Sequence, residues 1–139
     1  MSVIGDRAFD VVFSNSVIEH LGIFEDQQSM AAEIRRVGKR YYVQTPNRFF
    51  PIEPHFLVPF FQFLPIGLKA RMLRRIDLGW YKKVPSLELA RKTVQSIRLL
   101  SEKDLSKLFP EAHLYRERFC GLVKSFVAYA GWDVERDAD

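Results

Sequence analysis

The stretch Phe9-Asp-Val-Val-Phe-Ser-Asn-Ser-Val-Ile-Glu-His-Leu21 constrains this chain more than any other, because a strand, a polar turn and a helix start must follow one another within it. Val11, Val12 and Phe13 make a short apolar run of the kind found in a strand covered on both faces. Ser14-Asn15-Ser16 then breaks the run with small hydrogen-bonding side chains. In an open α/β sheet, ligands collect outside the carboxyl ends of the strands, so chemistry is expected where this strand stops. No glycine-rich phosphate or nucleotide loop stands among the residues before Phe9.

The continuation reads as an α/β unit. Met30, Ala31, Ile34 and Val37 recur at helical spacing over residues 25–36, while Arg35, Arg36, Lys39 and Arg40 load the end of that helix with charge that suits its dipole. Gly38 is placed to stop it. Residues 40–44 follow as a second strand closed by Thr45-Pro46, and strand, helix, strand with short connections predicts a parallel pair.

Beyond it the composition changes. From Phe49 to Trp80 the chain is crowded with phenylalanine and broken by proline, too irregular for a core helix before Pro65 and too apolar for a solvated loop. This segment, 49–80, is expected to be an insertion over the strand ends, a lid or pocket wall. An amphipathic helix is expected over 65–76, with Leu68, Met72, Leu73 and Ile76 on one face. Ser86 caps a further helix to residue 97, and Ser101 opens another that Pro110 stops. Residues 113–119 and 123–129 read as two strands joined near Gly121.

Composition enters only as a bound. The 139 residues form one domain with a core, and 47% hydrophobic against 27% charged residues describes a folded chain, not a disordered one. The single cysteine, Cys120, excludes an intramolecular disulfide and any cysteine-based metal cluster, which accords with a cytoplasmic location; it is expected to be a small buried apolar residue. The net charge of +4 is modest, but Lys69, Arg71, Arg74, Arg75, Lys82 and Lys83 lie close together. That patch reads either as a solvated helix face or as a surface for an anionic partner. The first residues have no leader-like apolar segment, and Pro59, Gln62, Pro65 and Lys69 interrupt the most apolar stretch before it reaches a bilayer-spanning length.

Taken together, these segments resemble the carboxyl-terminal half of the class I S-adenosylmethionine-dependent methyltransferases. Phe9 to Leu21 is similar to an F-D-V-V-x-S-x-x-x-[IL]-E-H-L segment that forms that family's fourth strand and the turn after it. Thr45-Pro-Asn-Arg-Phe-Phe-Pro-Ile-Glu-Pro-His55 looks like the exit from its fifth strand, Leu100 to Phe109 like its late helix, and Glu117 to Ser125 like the approach to its last strand. The resemblance implies a partial Rossmann-like sheet and S-adenosylmethionine as cofactor. It places Ser14, Asn15 and Ser16 on the cofactor side and makes His20, Glu53 and His55 the catalytic candidates, as base or substrate-orienting groups.

Each has a plainer reading. Serine and asparagine cap turns, Glu19 early in a helix favours the dipole, Glu53 is a surface carboxylate between two prolines, and His55 is a packed loop residue. His113 reads as structural. No metal site is expected, since His20, His55 and His113 lack ligand spacing and no acidic cluster supports them. No G-x-S-x-G turn is present, and the aromatic block does not alternate with basic residues as nucleic-acid binding would favour.

The family's first strand, glycine-rich loop and ribose-binding acid have no counterpart in these residues. Two readings follow. One is methyl transfer to a small-molecule or lipid-like acceptor, incomplete in this chain alone. The other is a non-catalytic oligomeric or membrane-surface module. In either, the strand over 10–14 is expected at an unprotected sheet edge, where a homodimer would form by edge pairing, and the Phe-rich segment beside a basic helix suits peripheral membrane contact.

Overall fold

The computed structural model describes residues 3–132. Its first unit is the expected one. Strand β1 (Phe9–Asn15) leads through a 3-10 turn (Ile18–His20) to helix α1 (Phe24–Val37) and then directly to strand β2 (Gly38–Pro46). Helix α1 buries Gln27, Ala31, Ile34 and Val37, the stripe that its apolar spacing dictates. Gly38 ends it by turning extended, and a Cβ there would sit 2.9 Å from the Arg40 carbonyl oxygen and from Val12 Cγ2. Helix and strand therefore meet without a loop.

Strands β1 and β2 are parallel, with Ser14 opposite Val43 and Asn15 opposite Gln44. The chain then leaves the sheet for a lobe containing a 3-10 turn (Phe61–Phe63) and helices α2 (Ile66–Arg75) and α3 (Leu87–Gln95). The lobe has its own core of Phe56, Phe61, Ala70, Leu73, Leu78, Ala90 and Val94. Because Ala90 and Val94 belong to α3, the lobe extends past the expected 49–80 segment. Ser86 caps α3 by accepting from the Leu89 N–H. Of the basic cluster, Lys69 turns inward to the lobe, Lys82 pairs with Asp77, and Arg71, Arg74 and Arg75 are exposed.

Helix α4 (Glu102–Leu108) begins with a reciprocal capping box between Ser101 and Asp104. Strands β3 (His113–Phe119) and β4 (Leu122–Ala130) form an antiparallel hairpin, and β4 returns to pair antiparallel with β2. The strand order is β1-β2-β4-β3, a mixed sheet of the Rossmann-like α/β kind. The hairpin turns on Cys120 (φ 49°) and Gly121 (φ 79°), both left-handed. Cys120 is thus exposed, contrary to expectation, because a turn position outranks the apolar preference of a thiol.

The main core joins Ala31 and Ile34 of α1, Leu105 and Leu108 of α4, Tyr41 and Val43 of β2, and Phe126 and Ala128 of β4. Both helices lie on one face of the sheet. The expectation of a strand covered on both faces is therefore corrected: Val12 packs against the core, while Val11 and Phe13 are 47% and 67% exposed on the opposite face. The apolar run records what the strand could bury, and helices α1 and α4 supply cover on one side only. As expected, β1 is an edge strand. Replacing the fully buried Leu105 by alanine should cost about 3 kcal/mol in urea unfolding, while the exposed Leu122→Ala should change stability little.

Candidate active site

Parallel pairing of β1 and β2 brings both carboxyl ends to one edge of the sheet. Ser14, the last inward residue of β1, is buried, and its hydroxyl has no hydrogen-bond partner among the described residues. Asn15 and Ser16 are exposed. Ser16 adopts a left-handed φ of 53°, its N–H donates to the Gln44 carbonyl at 3.0 Å, and its hydroxyl lies 3.2 Å from both Asn15 Oδ1 and Gln44 Oε1. Ser16 thus serves as the turn residue, and Ser14 is the one left with an unused polar atom.

The next turn is anchored by Ile18, which is fully buried in the main core. That anchor drives Glu19 inward. Its side chain is buried, Oε2 accepts from the Thr45 hydroxyl at 3.1 Å, and Oε1 has no partner among the described residues. Burial raises the Glu19 pKa above the usual carboxylate value, against the lowering effect of hydrogen bonds and of His20 and His55. The dipole role expected for Glu19 does not apply, since it lies in a short 3-10 turn and points into the protein.

From the other strand end comes Glu53. It is buried, not a surface turn residue: Oε2 accepts from the His55 N–H at 2.9 Å and the Phe56 N–H at 2.6 Å, and Oε1 from His55 Nδ1 at 2.8 Å. A carboxylate has only lone pairs to offer, so His55 Nδ1 carries the proton of this bond, and in the neutral ring Nε2 is the bare nitrogen. That nitrogen faces His20 Nε2 at 3.2 Å, with the two rings nearly perpendicular and their centroids 4.7 Å apart. His55 Nε2 is also 3.9 Å from Glu19 Oε1. The three residues expected to be catalytic, His20, Glu53 and His55, therefore form one contact chain, and Glu19 joins it.

Glu19, His20 and His55 each present one ligand atom, all within 4.8 Å of one another. The expectation of no metal site rested on sequence spacing, and that premise fails here because the ligand atoms come from two different strand ends. His113 stands apart, its ring tilted against Tyr129 in the terminal hairpin.

Beside Glu53 a cavity of about 240 Å³ opens between the segment after β2, the lobe and residues 97–99. Arg48, Gln62, Lys69 and Arg98 line it with Glu53 and Phe56. Lys69 Nζ donates to the Gln62 carbonyl at 2.9 Å and lies 5.6 Å over the Phe61 ring; burial lowers its pKa. Arg98 donates to Gln27 Oε1 at 2.7 Å and stacks over Phe24. Gln62 Oε1 is buried without a partner among the described residues. Sequence reasoning did not reach this cluster. Its only signal is that basic and amide residues interrupt an otherwise apolar block.

A family model described as a methyltransferase domain matches residues 3–41, the stretch from β1 through Glu19, His20 and α1 to the start of β2. Two proteins of Mycobacterium tuberculosis, from strains CDC 1551 / Oshkosh and ATCC 25618 / H37Rv and both named uncharacterized, are each 36% identical to this chain over 58 residues. The match covers 42% of this chain and 20% of each relative, so the chain spans a small part of their length. No solved structure matches.

Removing Glu53 tests the local architecture. Glu53→Ala strips partners from two backbone N–H groups and one imidazole, and should cost about 3 kcal/mol in chemical unfolding, whereas Glu53→Gln, which keeps an acceptor oxygen, should cost less than half of that.

Proposed function

We propose that this chain takes part in S-adenosylmethionine-dependent methyl transfer to a small-molecule or lipid-like acceptor, contributing the acceptor side of the site. The observation that carries this reading is the Glu53–His55–His20 chain at the shared carboxyl edge of β1 and β2, with His20 inside the stretch that the methyltransferase-domain model matches and Glu53 and His55 beyond it.

The cofactor, when bound, supplies an electrophilic methyl group on a sulfonium sulfur. The residues present fit one side of it: the orphaned, buried Ser14 hydroxyl at the end of β1 is a polar group in want of a partner, with Asn15 and Ser16 next to it. The sequence holds no G-x-G-x-G segment, so the glycine-rich cofactor turn of such domains is not built from these residues. In-line displacement needs the acceptor atom held in place and, for a hydroxyl or amine, relieved of its proton. His55 is oriented by Glu53 with a bare Nε2, and His20, which is exposed, flanks the same point from the other strand end. The cavity beside Glu53, with Arg48, Lys69 and Arg98 in its walls, receives the body of an acceptor that carries negative charge. Exposed Phe49, Phe60 and Phe63 in the same lobe suit an acceptor with an apolar tail, or contact with a membrane surface.

A second reading, of a non-catalytic oligomeric module, draws on a different observation. Edge strand β1 exposes Phe9, Val11 and Phe13, and an open, apolar edge favours pairing with a second copy of the chain. No described helix is long and apolar enough to cross a membrane.

Calorimetric titration of the folded chain with S-adenosylhomocysteine separates the two. Saturable heat that weakens about tenfold in Ser14→Ala, the loss of roughly one hydrogen bond, is the outcome expected for the methyltransferase reading. Absence of heat from a well-folded sample overturns it for the chain and favours the module. Size-exclusion chromatography with light scattering should give a dimer at micromolar concentration that Phe13→Lys shifts to monomer; a monomeric parent chain contradicts the edge pairing.

A further inference from the structure

We propose that Glu19, His20 and His55 form a binding site for one divalent transition-metal cation of the zinc, cobalt or manganese type, with Glu53 as the residue that positions His55 for it. The proposal rests on the methyltransferase reading only for what would occupy the ion's open position. The ion site itself does not depend on it.

Four observations converge. The ligand atoms are two imidazole nitrogens and one carboxylate oxygen, within 4.8 Å of one another and supplied by two separate segments. The third of them, Glu19 Oε1, sits on a fully buried residue and has no partner among the described residues, although its twin oxygen is held by Thr45. Leaving a buried carboxylate oxygen bare is unfavourable, and a cation would satisfy it. His55 already has the arrangement of a metal-bound histidine, with Nδ1–H donating to the Glu53 carboxylate at 2.8 Å and Nε2 presented as a lone pair.

The geometry of the pair is the fourth. His20 Nε2 and His55 Nε2 are 3.2 Å apart. Two nitrogens each about 2.1 Å from one ion span that distance at an angle near 100° at the metal, close to tetrahedral or octahedral values. Glu19 Oε1 is 3.9 Å from His55 Nε2 and lies within 4.8 Å of the ligand atom of His20, so its carboxylate must turn toward the two imidazoles to close on the ion.

A set of two histidines and one carboxylate with a remaining position open is the donor set of catalytic zinc and of related manganese and iron ions. Magnesium, which favours oxygen ligands and retains its waters, is the poorer match. Because His20 is exposed, the open position faces solvent on the acceptor side. An acceptor coordinating through a hydroxyl or carboxylate oxygen would fill it.

The test is titration of the chelator-treated, folded chain with Zn²⁺, Mn²⁺ and Mg²⁺, followed by calorimetry, and with Co²⁺, followed by its visible absorption. The expected result is one ion per chain, zinc bound more tightly than magnesium, and a Co²⁺ spectrum without thiolate charge transfer. His20→Ala, at an exposed position that the core does not need, should weaken zinc at least tenfold, as should Glu19→Gln. Glu53→Gln should weaken it ten- to a hundredfold while leaving the ligands in place. Cys120→Ser and His113→Ala should leave it unchanged. No binding at millimolar metal, or binding that survives in His20→Ala and Glu19→Gln, overturns the site. Cofactor binding with no metal binding sinks this inference and leaves the methyltransferase reading standing; metal binding without cofactor binding does the reverse.

Discussion

Everything at the candidate site depends on the parallel pairing of β1 with β2. Parallel strands end on the same side of a sheet, so the residues that follow Asn15 and those that follow Pro46 meet, although His20 and His55 are far apart in the chain. An antiparallel pair would have sent the two turns to opposite edges. The register is secured by the close approach of Gly38 to Val12, by the helix-to-strand junction without a loop, and by Ile18, which pins the turn after β1 into the core. From these constraints the inward direction of Glu19 follows.

The second requirement is that buried polar groups be satisfied, and here the structure divides them unequally. Glu53 uses both oxygens, organising the chain from Pro54 to Phe56 as a side-chain-capped turn and fixing one imidazole. Glu19 and Ser14 lie at the neighbouring strand end and each keeps an unused atom. Proteins pair nearly all such atoms, so unpaired ones at the carboxyl edge of an α/β sheet are the basis for proposing a ligand there. The candidate groups divide between the two lobes. The sheet lobe supplies Ser14, Glu19 and His20, the segment leading into the aromatic lobe supplies Arg48, Glu53 and His55, and Lys69 of α2 and Arg98 after α3 complete the cationic cavity wall.

Much of the fold was legible because local rules agreed with one another. The stripe of Ala31, Ile34 and Val37, the stop at Gly38, and the caps at Ser86 and Ser101 each express a constraint acting over a few residues. What could not be read depends on tertiary context. The Val11–Phe13 run told how apolar the strand is, not which face would find cover. Cys120 looked like a core residue because a thiol is apolar, but its place in a left-handed turn put it in solvent. The lobe was visible by composition, while the recruitment of α3 to its core was not, since Ala90 and Val94 are ordinary helix residues until α2 lies beside them. At the site, His20, Glu53 and His55 stood out as residue types near strand ends. Glu19 did not, because a carboxylate in a turn usually faces water, and only the burial of its neighbour Ile18 turns it inward.

The central claim is that Glu53 fixes His55 in one tautomer, with a bare Nε2 directed at His20, at the joint end of two parallel strands. Long-range proton–nitrogen correlation spectra of the imidazole rings at mildly alkaline pH observe this directly. The account predicts His55 protonated at Nδ1, His20 protonated at Nε2, and through-space contacts between the two rings. A His55 ring carrying its proton at Nε2, with no contact to His20, would contradict it.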